Sequence, residues 1–553
     1  MEQDYSGSLI KSIKQLFKIL RLDKKDISSI YFFAILGGLI SLSLPLGIQT
    51  IISFVLAGSI SASIIVLIIL VVFGVFINGL VQVRQMQVVE KIKQKIFTRY
   101  SLEFADKLPK LNVEKLDKYY LPELVNRYFD VPSLTKSIDK LLLDIPTAVI
   151  QIFFGLLLLS LYHPIFIGFG LILIFFVILI IKYTSTQGLA TSMKASDYKY
   201  AIASWMEEVA RVIKSFKYSK NTNLHIQKTD ELVAKYLDSR TAHFKILLTQ
   251  FWSLITFKIV ITAAMLLVGA VLLVDQQINV GQFIAADIVI LTIISSVEKL
   301  IATLDKIYDT LTSLQKLSKV LDSDVEESGT LEMATAGKGV GVKFDHVSFK
   351  YTEKNVLSNI NLTILPNQLI CITGTSGSGK SSLLRLLTGA FSTFEGNIHI
   401  DEVPLLNYNL NSLRAVTGIL ISQQDIFHGT LLENLTMSNN KISIADISKI
   451  TEKLKLKDFI LTHKNGYDTI LDVQGKKLSN NIRQEILLLR ALLGNHRLLL
   501  LENPFNHLDS DEIDALFYFL KNDKNATIIL TSDDIKIQEK CDVVIRLDNG
   551  KII

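Results

Sequence analysis

The sequence predicts a six-helix, all-α membrane domain followed by an α/β domain built around a phosphate-binding loop. Three observations carry this expectation. A mean hydropathy of +0.37, with 49% hydrophobic residues over 553 positions, is too apolar for an ordinary soluble protein. Apolar stretches long enough to cross a bilayer recur in pairs between residues 27 and 303. Beyond them stands Gly374-Thr375-Ser376-Gly377-Ser378-Gly379-Lys380-Ser381, between the strand-like Leu369-Ile370-Cys371-Ile372 and a helix-like run from Ser382 to Leu387.

The elements follow in chain order. Residues 1–27 form an amphipathic N-terminal segment, with Ile10, Ile13, Phe17 and Leu20 on one helical face and Lys11, Lys14, Lys18, Arg21 and Lys25 beside it, as suits a helix in the cytoplasmic interface. The membrane domain spans 28–321. No charged residue lies between Ile27 and Val83, room for two spans of about 20 residues turned at Gly58-Ser59-Ile60-Ser61. Arg84 opens a charged stretch, so the second helix runs out into the cytosol. A second pair, 141–162 and 165–182, turns at His163-Pro164, and a third, 250–274 and 281–303, turns through Asp275-Gln276-Gln277. The outer turns lack Lys and Arg while segments 84–140 and 182–245 hold many, which places both termini in the cytosol.

The same charge distribution explains the net charge of +5 without nucleic acid. The two cysteines, Cys371 and Cys541, exclude a disulfide framework and read as small core residues. No cleavable signal peptide is expected, because the first apolar run is too long for one. Within the spans, Lys258 is expected to snorkel toward the inner surface. Asp287 is a candidate for a watery cavity, with Gln49, Asn78 and Gln82 beside it. Small polar residues serve helix contacts equally well.

Residues 322–340 lose apolar periodicity and read as a linker. The second domain, 341–553, alternates strands with helices: Val342-Lys343-Phe344 and Val347-Ser348-Phe349 read as strands, as does Arg497-Leu498-Leu499-Leu500-Leu501. The loop fits G-x-x-x-x-G-K-[ST]. Its glycines let backbone N–H groups surround a polyphosphate, the next helix turns its positive end to the same anion, Lys380 reaches the outer phosphates and Ser381 ligates magnesium.

Paired spans followed by this domain resemble an ATP-binding cassette exporter of the half-transporter type, over nearly the whole chain. Leu44-Pro45-Leu46-Gly47-Ile48-Gln49 is similar to a stretch of the bacterial peptide and protein-toxin exporters, though the peptidase domain that precedes some of them is not expected here. The resemblance implies a type I exporter membrane domain, a P-loop NTPase nucleotide-binding domain, and ATP with Mg2+ as ligands. Tyr351 would stack on adenine. The loop from Gly374 to Ser381, with Ser382, would hold the phosphates. Gln423 would be the glutamine-loop residue, with Gln424 as the alternative. Ser381, Gln423 and Glu502 would form the magnesium shell, and Ser479 would act in trans. Short transverse helices near Leu124-Val125-Asn126-Arg127 and Trp205-Met206-Glu207-Glu208 would dock on the nucleotide domain.

The chain departs from the family where hydrolysis is concerned. Leu478-Ser479-Asn480-Asn481-Ile482 stands for Leu-Ser-Gly-Gly-Gln, and side chains at 480 and 481 hinder close approach to a phosphate. Asn503 of Glu502-Asn503-Pro504 replaces the general base, and an amide accepts no proton near pH 7. Ser532 stands at the switch histidine. His507 reads as a loop-surface residue. No intact catalytic set is therefore expected, while the ATP-binding set survives.

The resemblance thus implies a subunit of an ATP-driven exporter in the inner membrane of a bacterium, closed by ATP onto a second half-transporter. A heterodimer is favoured over a homodimer with two impaired sites. The alternative is a non-transporting, ATP-sensing regulatory or assembly subunit.

Overall fold

A computed structural model describes residues 5–58, 62–112, 114, 121–219, 222–351, 353–422, 424–456, 465–523 and 525–553. The chain divides into two compact units. The first comprises Met1–Lys110 and Lys118–Ser323, the second Leu111–Asp117 and Asp324–Ile553.

The first unit is helical. After α1 (Tyr5–Leu22) come α2 (Lys24–Ser41), α3 (Ser43–Leu56), α4 (Ala62–Lys107), α5 (Leu121–Asn126), α6 (Asp130–Tyr162), α7 (Ile165–Arg211), α8 (Ile213–Tyr218), α9 (Leu224–Val274) and α10 (Val280–Leu321). Among the described residues, 6 helical segments are long and apolar enough to cross a membrane, α2 and α3 together making the first. Pro45 accounts for that break, because it has no N–H for the carbonyl of Ser41 four residues earlier. The turns at 163–164 and 275–279 lie where the sequence places them. His163 is extended (φ −158°, ψ 137°), and Asn279 with Gln282 forms a reciprocal capping box that starts α10.

Lipid supplies no hydrophobic drive between spans, so close van der Waals packing must hold them together. Along α6 and α10, Ile152 and Leu159 pack into one cluster with Val289, Ile293 and Val297. Gly155 permits the approach: a Cβ there would lie 2.9 Å from Ile293 Cγ1. Phe73 and Phe76 of α4 remain 60% exposed, as lipid-facing residues should.

Several expectations need correction. In the N-terminal helix Ser12 and Ile19 are buried, Ile13 and Leu16 pack against the cluster around Tyr308, and Phe17 is 67% exposed. Gln15, hydrogen-bonded to Ser318 and Asp322, fixes this rotation against the end of α10. Trp205-Met206-Glu207-Glu208 forms no separate transverse helix but continues α7. The break comes at Val212 (φ −105°, ψ 29°), and the short helix is α8. Residues Leu124-Val125-Asn126-Arg127 span the end of α5 and the following turn, in the first unit, where Asn126 donates to Glu207 at 2.5 Å. The segment that belongs with the second unit is Leu111–Asp117. Leu111 bridges Val325, and Glu114 accepts from the backbone N–H of Thr393 at 3.1 Å and from its hydroxyl at 2.5 Å.

Lys258 does not stand alone either. It donates to Glu298 of α10 at 2.6 Å. Gln49 accepts from the Tyr162 hydroxyl at 2.5 Å; Asn78 and Asp287 are partly buried and Gln82 is exposed.

In the second unit, the stretch read as a linker is largely exposed but anchored at a few positions from residue 324 onward. Arg414 grips Glu326 at 2.6 and 3.0 Å, Leu331 pairs with residues 407 and 409, and Met333 and Val340 are buried in the core. Val342–Lys350 is one strand, β1, with its register interrupted between Phe344 and Val347, where His346 takes φ 51°. With β2 (Asn355–Ile364), β4 (Glu395–Ile400) and β5 (Val403–Pro404) it forms an antiparallel sheet of order β2-β1-β4-β5.

A second sheet has the order β12-β11-β3-β10-β9-β6. Its strands β3 (Leu369–Thr373), β6 (Thr417–Leu420), β9 (Leu498–Glu502), β10 (Thr527–Thr531) and β11 (Val543–Asp548) run parallel; β12 (Lys551–Ile552) is antiparallel. β3, β9 and β10 are apolar almost throughout and buried on both faces, as central parallel strands require. Their carboxyl ends, side by side, present Thr373, Glu502 and Thr531. Ligands bind at such an edge in open α/β sheets.

Candidate functional site

The phosphate loop leaves the end of β3 and enters the helix Lys380–Leu387. Gly374 (φ 147°) has no space for a side chain, since a Cβ would lie 2.0 Å from the carbonyl oxygen of Leu547. Gly379 (φ 105°) is similarly restricted, 2.7 Å from Leu357. Ser378 N–H donates to the Thr375 carbonyl at 3.1 Å, closing the turn, while Thr375, Ser376 and Gly377 are exposed. Lys380 folds back over the loop, donating to the carbonyl of Gly374 and, at 3.3 Å, to that of Thr375.

The loop fits a polyphosphate. Its backbone forms a concave turn crowded behind and open in front, and the Ser378 hydroxyl is buried without a hydrogen-bond partner among the described residues. The pair expected to hold magnesium is assembled too. Ser381 Oγ donates to Glu502 Oε1, and Glu502 Oε2 accepts from the backbone N–H of Ser422 at 2.8 Å. Hydroxyl and carboxylate oxygens are the donor set a hard divalent cation takes.

Tyr351 sits edge-on to Phe349 and Phe391, with ring centroids 4.8 and 5.6 Å away. Its hydroxyl is 3.2 Å from Ser382 Oγ, and 40% of the residue remains exposed. The ring is thus braced from behind with one surface open.

The altered positions are tied into local structure. Asn503 lies just past β9 at φ 48°; its N–H donates to Thr531 Oγ1 at 2.9 Å, and the same hydroxyl donates to Asn503 Oδ1 at 3.1 Å. Ser532 is only 7% exposed, and its Oγ accepts from Asp534 N–H at 3.2 Å. Ser479 caps the helix Asn480–Leu492, accepting from Ile482 N–H at 3.3 Å, and Asn480 and Asn481 lie exposed in its first turn.

Gln423 lies outside the described residues. Gln424 accepts from Ile421 N–H at 3.4 Å and lines a cavity of about 240 Å³ with Asn480, Glu502, Asn503 and His507. The loop, Tyr351, Ser382, Glu502, Asn503 and Ser532 therefore gather at or beside one sheet edge. Ser479 caps an exposed helix start, whose first residue, Asn480, reaches the cavity that Glu502 and Asn503 line.

Sequence reasoning missed Asp533. Its Oδ1 accepts from Thr373 Oγ1 and Gly374 N–H, both at 3.3 Å, and lies 3.4 Å from Lys380 Nζ. Nothing in the local pattern marks a contact that spans 153 residues. The cysteines, expected as core residues, are brought together: a hydrogen bond from the Cys541 thiol holds the Cys371 thiol below its usual range and pushes Cys541 up.

A membrane-spanning helical unit and an α/β unit with a phosphate loop at its sheet edge define a multi-pass membrane protein with a nucleotide site. The family comparison is specific. Residues 27–297 match the ABC transporter transmembrane region and residues 357–506 a second family model described as ABC transporter, so the chain belongs to the ABC transporter family, with both regions fused in one polypeptide.

Relatives include a probable ABC transporter ATP-binding/permease protein of Haemophilus influenzae, 31% identical over 52% of this chain and 52% of that protein. An alpha-hemolysin translocation ATP-binding protein of Escherichia coli O157:H7 is 29% identical over 51% of this chain and 40% of its own length. A transport/processing ATP-binding protein of Streptococcus pneumoniae is 26% identical over 78% and 60%. An ABC-type transporter of Curvularia clavata matches at 30% over 42% of this chain and 18% of that protein. The matches thus span from about a fifth to somewhat over half of these relatives. A bacterial Atm1-family ABC exporter with ATP bound shares the fold, with a TM-score of 0.84 at 19% identity over 96% of this chain and 95% of that one.

Proposed function

We propose that this chain is an ATP-binding/permease subunit of an export complex in which ATP joins two nucleotide-binding units and is turned over slowly. The observation that carries this reading is Asn503, its amide held by Thr531 beside an otherwise assembled Ser381–Glu502 pair. Lys380, Ser378 and the loop N–H groups would hold the phosphates, Tyr351 the adenine, and Ser381, Gln423 and Glu502 the magnesium. Bound Mg2+ neutralises phosphate charge and polarises the terminal phosphoryl group. Asn503 can position a water there but cannot take its proton, and Ser532 is too short and too firmly engaged with Asp534 to replace an imidazole. Absence of a general base costs about 10²–10⁴-fold.

Ser479 and its exposed helix start supply an anion-seeking N-terminus for ATP held by a second subunit. Asn480 and Asn481 weaken that clamp, so an intact, different partner is favoured over a second copy. Relatives named for hemolysin translocation and for transport and processing support outward transport. The charge asymmetry of the loops supports cytosolic termini, and the bacterial relatives support a site in a bacterial inner membrane.

The test is equilibrium ATP binding and phosphate release by the purified full chain, beside Lys380→Ala and Asn503→Glu/Ser532→His. Wild type should bind ATP and release phosphate near background, Lys380→Ala should lose binding, and the double variant should release phosphate faster. Wild-type turnover equal to that of an ordinary exporter and abolished by Lys380→Ala would refute the reading.

A further inference from the structure

Asp533 contacts two donors of the phosphate loop, Gly374 and Lys380, and Thr373 at the entrance to it. Its Oδ1 takes the N–H of Gly374 at 3.3 Å and the hydroxyl of Thr373 at 3.3 Å; Lys380 Nζ stands 3.4 Å from Oδ1 and 3.5 Å from Oδ2. These groups converge on anions, and Lys380 is the group that reaches the outer phosphates. The carboxylate is itself an anion and cannot share the seat with a phosphate without like-charge repulsion.

The backbone aims Asp533 there independently of its side chain. Ser532 N–H donates to the Ile372 carbonyl at 3.3 Å, the Ser532 carbonyl accepts from Gln538 at 3.4 Å, and Asp534 caps the next helix through Lys536 N–H at 2.9 Å. The Asp533 side chain is 63% exposed, so its replacement leaves this anchoring intact.

We propose that Asp533 is an internal competitor for the γ-phosphate: its carboxylate occupies the outer end of the phosphate loop, and ATP binds only by displacing it from Lys380 and Gly374. The inference rests on the reading that ATP binds at this loop, and it adds a residue that sets the affinity and the discrimination between ATP and ADP. ADP lacks the outer phosphate and meets less of the carboxylate. A displaced competitor lowers apparent affinity by the fraction of time it holds the seat. An ion pair with one exposed partner is weak, so removing it should tighten ATP binding by about 2–5-fold and not by orders of magnitude.

The test is calorimetric titration of the full chain with MgATP and MgADP for wild type, Asp533→Asn, Asp533→Ala and Lys380→Ala, at low and high salt, with circular dichroism as the folding control. The expected result is tighter ATP binding for both Asp533 variants, a smaller gain for ADP, and a difference from wild type that shrinks as salt screens the carboxylate. If wild type binds ATP in a Lys380-dependent manner and the Asp533 variants bind it no more tightly, the competitor is refuted while the nucleotide site stands. If no protein in the series binds ATP, both readings fall together.

Discussion

Tyr351 shows what a single residue can and cannot disclose in advance. Its place upstream of the phosphate loop marks it for adenine, but its rigidity comes from Phe349 and Phe391, the latter 40 positions away in the chain and unmarked by any local pattern. Base–aromatic stacking is worth about 1–3 kcal/mol. Tyr351→Ala should therefore weaken ATP by roughly 5–100-fold and leave inorganic tripolyphosphate unaffected, as competition titrations would show. The loop from Gly374 to Ser381 was legible because backbone geometry restricts its residue types. Asp533 and Glu298 were not, because their partners Lys380 and Lys258 are met only through the fold.

At the scale of elements, helix ends were legible at turn residues between apolar spans, though the break before Pro45 was not. His163-Pro164 and Asp275-Gln276-Gln277 mark two such ends. The boundary between α7 and α8 was hidden, because helical periodicity continues through Trp205 and the turn at Val212 carries neither glycine nor proline. Likewise the linker-like residues 324–340 are mostly exposed, yet Glu326, Leu331 and Met333 find partners on distant elements.

The Lys258–Glu298 contact is an element-level tie between α9 and α10. Either Lys258→Ala or Glu298→Ala would leave a charge without its partner in a weakly solvating environment, and each should lower stability by about 1–2 kcal/mol. Lys258→Met/Glu298→Leu should recover most of that loss. Thermal unfolding in detergent would measure the series, and strict additivity of the two alanine effects would show that the pair is not coupled.

For the molecule as a whole, the second unit's ownership of Leu111–Asp117 matters most. The polypeptide passes between units at Lys110–Leu111, at Asp117–Lys118 and at Ser323–Asp324. Glu114 fixes the inserted segment to Thr393. Glu114→Ala should keep ATP affinity within about twofold, because its hydrogen bonds among the described residues go to Thr393 and not to the nucleotide site, while reducing the ATP-linked change in amide hydrogen exchange across the first unit. An undiminished exchange response would show that Glu114 carries no coupling. The same insertion also orders biosynthesis. Leu111 leaves the ribosome about 200 residues before Val325, its bridging partner, and the site's last strands follow later still. At about 5–20 residues per second, the segment waits tens of seconds for the rest of its unit. The contacts of Leu111 and Glu114 with the second unit therefore form only after the membrane helices encoded between them have been synthesised.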